Sequence, residues 1–129
     1  MFCLNALDFS RQSSPLALRP TPLQKTIVHH PWIDLFPFPR LRDNVLLGMA
    51  AGLLDDDELC ADILEVKDED LSGRPSLIVW GEPCDWMAWE ANEAFFRKWG
   101  FLARGCHEIL RSTNHWRAKR GEKGIVFYV

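Results

Sequence analysis

Residues able to do chemistry are present in this 129-residue chain, but not at the spacings that known chemistries use. His29-His30 and Cys106-His107 are adjacent pairs. A structural zinc site needs a second pair at a set distance along the chain, and neighbours rarely face one ion together. Asp55-Asp56-Asp57-Glu58 lacks the alternation and the glycine of a calcium loop. At a helix start those carboxylates complement the macrodipole. No G-x-S-x-G, phosphate-cradling glycine loop, H-E-x-x-H or C-x-x-C occurs. The expectation is a non-enzyme, with no catalytic residue, no metal ligand set and no cofactor.

Binding chemistry is better represented. Arg111, Arg117, Lys119, Arg120 and Lys123, with His115 and Trp116, could touch phosphates or stack on bases. The plainer reading is a solvated helix end, where cations favour the C-terminal dipole. Nucleic acid is therefore expected only as a weak auxiliary contact. Five of the six tryptophans lie between positions 80 and 116. Rings of that size form either the core or an aromatic-lined pocket for a small molecule or a peptide. Two polar residues fall among apolar ones. Asn92 needs a partner, either nearby backbone or a ligand, because a buried unpaired amide costs about 1–3 kcal/mol. Arg42 needs a carboxylate, with Asp34 and Asp43 close in sequence, or else a ligand's carboxylate.

The elements that must position these groups read as mostly helical. Thr21-Pro22-Leu23-Gln24 has the form of a capping box with proline at the first helical position. Pro31, Pro37 and Pro39 exclude a regular helix over Trp32–Pro39 and suit an extended stretch. Leu41, Val45, Leu46, Met49 and Leu53 share one arc of a helix spanning Arg40–Leu53. Asp55 to Glu58 starts another, with Leu59, Cys60, Ile63 and Leu64 as its apolar face. Asp68–Gly73 reads as a loop, and Leu77–Trp80 as a short buried strand. Asp85 caps the clearest predicted helix, Trp86–Trp99, ended by Gly100. At 100° per residue, Phe95, Ala88, Trp99, Asn92, Phe96 and Trp89 fall within an arc of about 120°, with Met87, Glu90, Ala94 and Lys98 largely opposite. Two short helices follow, Cys106–Arg111 and His115–Arg120, the second capped by Thr113 or Asn114. Ile125–Val129 has strand composition.

Composition sets the outer limits. An apolar share of 47% suits one packed domain rather than a disordered chain. The longest apolar run, Val45–Leu54, is half of the roughly 20 residues that a membrane span requires. The first residues lack the basic start and apolar stretch of a secretory signal. Four widely spaced cysteines argue more for a reducing compartment than for a disulfide framework. Net charge is +2 over 1–54, −8 over 55–72 and +3 over 73–129. The chain is thus a poor stand-alone nucleic-acid binder. The division expected is a flexible lead-in at 1–20, one helical domain at 21–124 and an apolar tail at 125–129. The fold class expected is mainly α, a compact multi-helix domain with at most one short β element, around 77–80 or at 125–129.

Three stretches are distinctive together. They are His30-Pro31-Trp32-Ile33-Asp34-Leu35-Phe36-Pro37-Phe38-Pro39-Arg40-Leu41-Arg42-Asp43-Asn44; Val79-Trp80-Gly81-Glu82-Pro83 with Trp89-Glu90 and Arg97-Lys98-Trp99-Gly100; and Ser112-Thr113-Asn114-His115-Trp116-Arg117 with Arg120-Gly121-Glu122. In this order, across about residues 25–122, the chain resembles an uncharacterised domain of filamentous fungi. That domain commonly lies C-terminal to a basic-leucine-zipper region in proteins assigned as transcription factors. The resemblance implies a nuclear, transcription-linked regulatory or protein-interaction module. Its partner would be a protein of the transcription machinery or a basic-leucine-zipper region, and no membrane would be involved. The chain has no basic region and no leucine heptads of its own, so zipper-type DNA reading is not expected. The candidate binding residues are Trp32, Arg42, Trp80, Trp89, Asn92, Trp99, Asn114, Trp116 and Arg117. A small-molecule sensor with an aromatic-lined pocket is the alternative.

Overall fold

The protein is described from a computed structural model covering residues 16–64 and 76–127. It is mainly α. Five helices are present among the described residues: α1 Pro22–Thr26, α2 Pro39–Ala50, α3 Asp56–Leu64, α4 Glu93–Trp99 and α5 His107–Lys119. They surround one antiparallel pair, β1 Leu77–Val79 and β2 Trp89–Ala91. Short 3-10 turns occupy Leu16–Leu18, Pro31–Leu35, Trp86–Ala88 and Gly100–Ala103. The loop expected at 68–73, and residues 1–15 and 128–129, lie outside the described residues. No helix among the described residues is long and apolar enough to cross a membrane.

Local chemistry explains most boundaries. The capping box at α1 forms as expected, with Thr21 accepting from the Gln24 amide and Gln24 returning to the Thr21 amide. The proline-rich stretch starts as a 3-10 turn over Pro31–Leu35 and becomes extended only at Phe36 and Phe38. α2 stops at Ala50, short of the expected Leu53, because Gly52 takes a φ of +72°. Leu53 therefore faces solvent, while Leu54 closes onto Gly48.

The largest correction falls on Trp86–Trp99. It is not one helix but a 3-10 turn, a strand and a helix. Asp85 does cap, accepting from the Met87 amide, but the Trp89 amide closes the turn onto the Trp86 carbonyl. Trp89, Glu90 and Ala91 then pair with Val79, Ile78 and Leu77. Asn92 leaves the strand and caps α4. The rings still form the core, with Trp89, Phe95, Phe96 and Trp99 all buried. Glu90, expected on the outer face, is buried as well. Gly100 is not a left-handed stop. A side chain there would strike the ring of Phe127.

The second correction is that Cys106–Arg111 and His115–Arg120 merge into α5. Thr113, expected with Asn114 as a helix cap, lies inside α5, and both Ser112 and Thr113 are satisfied there. Ser112 Oγ donates to the Ile109 carbonyl, and Thr113 Oγ1 accepts from the Ala91 amide across the core. Residues 125–127 form no strand. Cys84 is disulfide-bonded, against the thiol-only pattern that spacing suggested, whereas Cys60 and Cys106 are free. Burial raises the Cys106 thiol to about 11.

Candidate functional site: an apolar groove beside the first strand

Most of the residues singled out in the sequence hold the fold. Arg42 is 0% exposed. Among the described residues no carboxylate pairs with its guanidinium. It donates to the carbonyls of Ala17 (2.8 Å), Arg19 (2.9 Å) and Phe36, and to Gln24 Oε1 (2.9 Å). The expected ion pair is thereby replaced by a cradle of neutral oxygens. Asp43 instead accepts from the Thr21 hydroxyl, and Asp34 from Gln24 and His29. Burial lowers the Arg42 pKa, and the nearby charges of Asp34 and Asp43 oppose that shift.

Asn92 accepts from the Phe95 amide at 2.8 Å, so its backbone partner is a helix N-cap. Trp99 donates to Asp62 at 2.9 Å, joining α4 to α3. Lys98 bridges the same Asp62 and Glu58, both at 2.7 Å. These acids, Asp62 before Glu58, raise the lysine pKa. The Asn114 amide grips the Ile125 backbone in both directions, at 3.0 and 2.7 Å, and so fastens the tail to α5.

Trp80 and Trp116 meet on the other face of the sheet, with Arg117 next to Trp116 in α5. The two indoles stack with centroids 5.6 Å apart. Trp80 donates to Glu90, and Trp116 to the Met87 carbonyl. Arg120 forks onto Glu90 at 2.8 and 2.6 Å and also reaches Glu122. Glu90, then Glu122, push the Arg120 pKa up. Arg117 bonds the Lys123 carbonyl and lies 3.6 Å from both Glu93 and Glu122. Two of the five cations proposed for phosphate contact are thus engaged internally. Arg111 and Lys119 lie over the rings of Trp86 and Trp116.

The remaining pair, Trp32 and Trp89, line a groove of about 260 Å³ with Leu35, Phe36, Cys60, Ile63, Leu77 and Val79. Trp32 and Phe36 project from the Pro31–Leu35 turn and the extended residue after it. Their rings meet edge to face, and Phe36 in turn meets Trp89. Trp89 spends its N–H on the Pro83 carbonyl, so it presents only apolar surface. Leu35 is 54% exposed and Val79 38%. Sequence reasoning missed Leu35, Phe36, Cys60, Ile63, Leu77 and Val79 as site residues. The available signal was Leu35 lying between the buried Ile33 and Phe36, one position out of phase with the core.

Backbone parity makes the groove distinctive. The Trp80 amide donates to the Ala88 carbonyl, and the Asn92 amide to the Ser76 carbonyl. In an antiparallel ladder the bonded positions alternate, so Ser76, Ile78 and Trp80 face β2. The Ala91 amide points away from β1, onto Thr113, as this parity requires. Leu77 and Val79 therefore turn their N–H and C=O groups outward, along the groove. Among the described residues no strand pairs with that edge.

Among the described residues, one surface group has metal-ligating types. His30, Asp56 and Asp57 offer atoms within 4.8 Å of one another. They sit at the start of α3, where the helix dipole opposes a cation, and His30 already lies 3.3 Å from Asp56.

No curated protein matches this chain, and no solved structure does. Residues 8–110 match the model of the family described as domain of unknown function DUF3425, and the chain belongs to that family.

Proposed function

We propose that this chain is a non-catalytic regulatory or protein-interaction module associated with fungal transcription, acting in the nucleus. Its partner is a protein of the transcription machinery or a basic-leucine-zipper region. The fungal and zipper-linked part of this reading rests on the resemblance of the three stretches given above. The interaction part rests on one observation, the apolar groove walled by Trp32, Leu35, Val79 and Trp89. A partly exposed apolar face beside a paired strand is a surface that a partner side chain can desolvate. Its volume of about 260 Å³ lies below the roughly 300–1,000 Å³ common for drug-sized ligands. That favours one or two anchoring side chains over the alternative, a metabolite sensor. Nucleic acid contact is auxiliary at most, because Arg117 and Arg120 are spent on Glu90, Glu93 and Glu122.

Proximity labelling of the chain in a filamentous fungus tests this reading, with Leu35→Asp as the control. Nuclear proteins labelled by the parent and lost with the variant are the expected result. An identical labelled set for both, or labelling confined to cytoplasmic proteins, contradicts it. A thermal shift with a metabolite pool that Leu35→Asp abolishes would favour sensing instead.

A further inference from the structure

Resting on that reading, we infer that the groove takes an extended peptide, which adds antiparallel to the outer edge of β1 as a third strand, so that the residues opposite Leu77 and Val79 exchange backbone bonds with them. Three features of the site define this occupant. The first is the outward pair of N–H and C=O groups on each of Leu77 and Val79, which no described residue satisfies. Leu77 is only 8% exposed, so these groups lie where water is partly displaced. An extended backbone brings donors and acceptors at the matching repeat; a helix keeps its own for itself.

The second feature is the face. Leu77 and Val79 share one side of the sheet with their partners Ala91 and Trp89, and this side lines the groove. A residue paired with Leu77 or Val79 projects its side chain onto the same side. The occupant therefore carries apolar residues at i and i+2, seated against Trp32, Leu35 and Trp89. The third feature is shape. A second copy paired edge to edge through β1 would set one concave groove against another, leaving both unfilled. A separate strand fills the groove with side chains. This is strand addition, in which main-chain bonds give affinity and alternate side chains give specificity.

The test selects random dodecapeptides on phage against the full chain and measures synthetic winners by fluorescence anisotropy. The enriched set is expected to share apolar residues at i and i+2. N-methylation of the amides at those two positions should weaken binding about tenfold, the effect of losing a good hydrogen bond. Methylation of the intervening amide should leave affinity unchanged. Val79→Pro removes an outward donor but spares the bonds to β2, because Ile78 and Trp80 carry them. It should cost the same factor with little change in melting temperature. Winners with i, i+4 spacing that ignore N-methylation yet fail on Leu35→Asp would overturn strand addition and leave the interaction reading standing. Failure to enrich any peptide over the Leu35→Asp chain would overturn both. If Val79→Pro does not fold, the N-methyl series decides alone.

Discussion

Arg42 shows how a single residue can join distant parts of a small domain. Its guanidinium ties the Leu16–Leu18 turn, α1 through Gln24 and the Phe36 carbonyl into one cluster. Removing it strands several buried acceptors at once. Arg42→Ala is expected to destabilise the fold by about 3–5 kcal/mol, read from urea denaturation. Arg42→Lys should recover little, since an ammonium cannot fork to four oxygens. His29 makes a second residue-scale prediction. Its side chain is 8% exposed, with Nδ1 on the Ile27 carbonyl and Nε2 on Asp34. The Ile27 carbonyl, then Asp34, raise its pKa above the ordinary 6.5, and burial opposes them. A raised folded-state pKa adds stability that is full below the unfolded value and fades as pH rises through the folded one. Melting temperature should therefore carry a His29-dependent fall on the alkaline side of 6.5. His29→Gln should flatten that fall.

At the scale of elements, junctions decide more than periodicity does. Asn92→Ala removes the cap of α4 and should cost about 1 kcal/mol. Thr113→Val leaves the buried Ala91 amide without its acceptor and should cost about 1–3 kcal/mol. Both are measurable by equilibrium unfolding. These positions also mark what the sequence could tell. The capping box at Thr21 and the apolar arc of α2 were legible because their signals are local. Trp86–Trp99 was not, because a three-residue strand is too short to display its period of two. The same rings satisfy a helical arc while packing from a strand. Asn92 was legible as needing a partner, either backbone or a ligand, but its role as a cap followed only from the strand before it. Arg42 was recognised as buried, but its partners lie 6 to 25 residues away, beyond any local rule. Among site residues, Trp32 and Trp89 were legible as large rings. Leu77 and Val79 were not, since their importance lies in backbone parity rather than in residue type.

On the scale of the whole molecule, the aromatic core and the Glu90–Arg120 pair build a packed frame, beside which the groove of Trp32, Leu35, Val79 and Trp89 stays partly exposed. Leu35, at 54% exposure, contributes little to that frame, so Leu35→Asp should change stability by no more than about 0.5 kcal/mol while removing recognition. The most direct measurement places the photo-crosslinking residue p-benzoylphenylalanine at position 35 in the full chain, expressed in a filamentous fungus. The same residue at Val126, which is 85% exposed and outside the groove lining, serves as the control. A discrete nuclear adduct from position 35 that is absent from position 126 and lost with Val79→Pro is the outcome this account predicts. No adduct at position 35, or the same adducts from both positions, would contradict it.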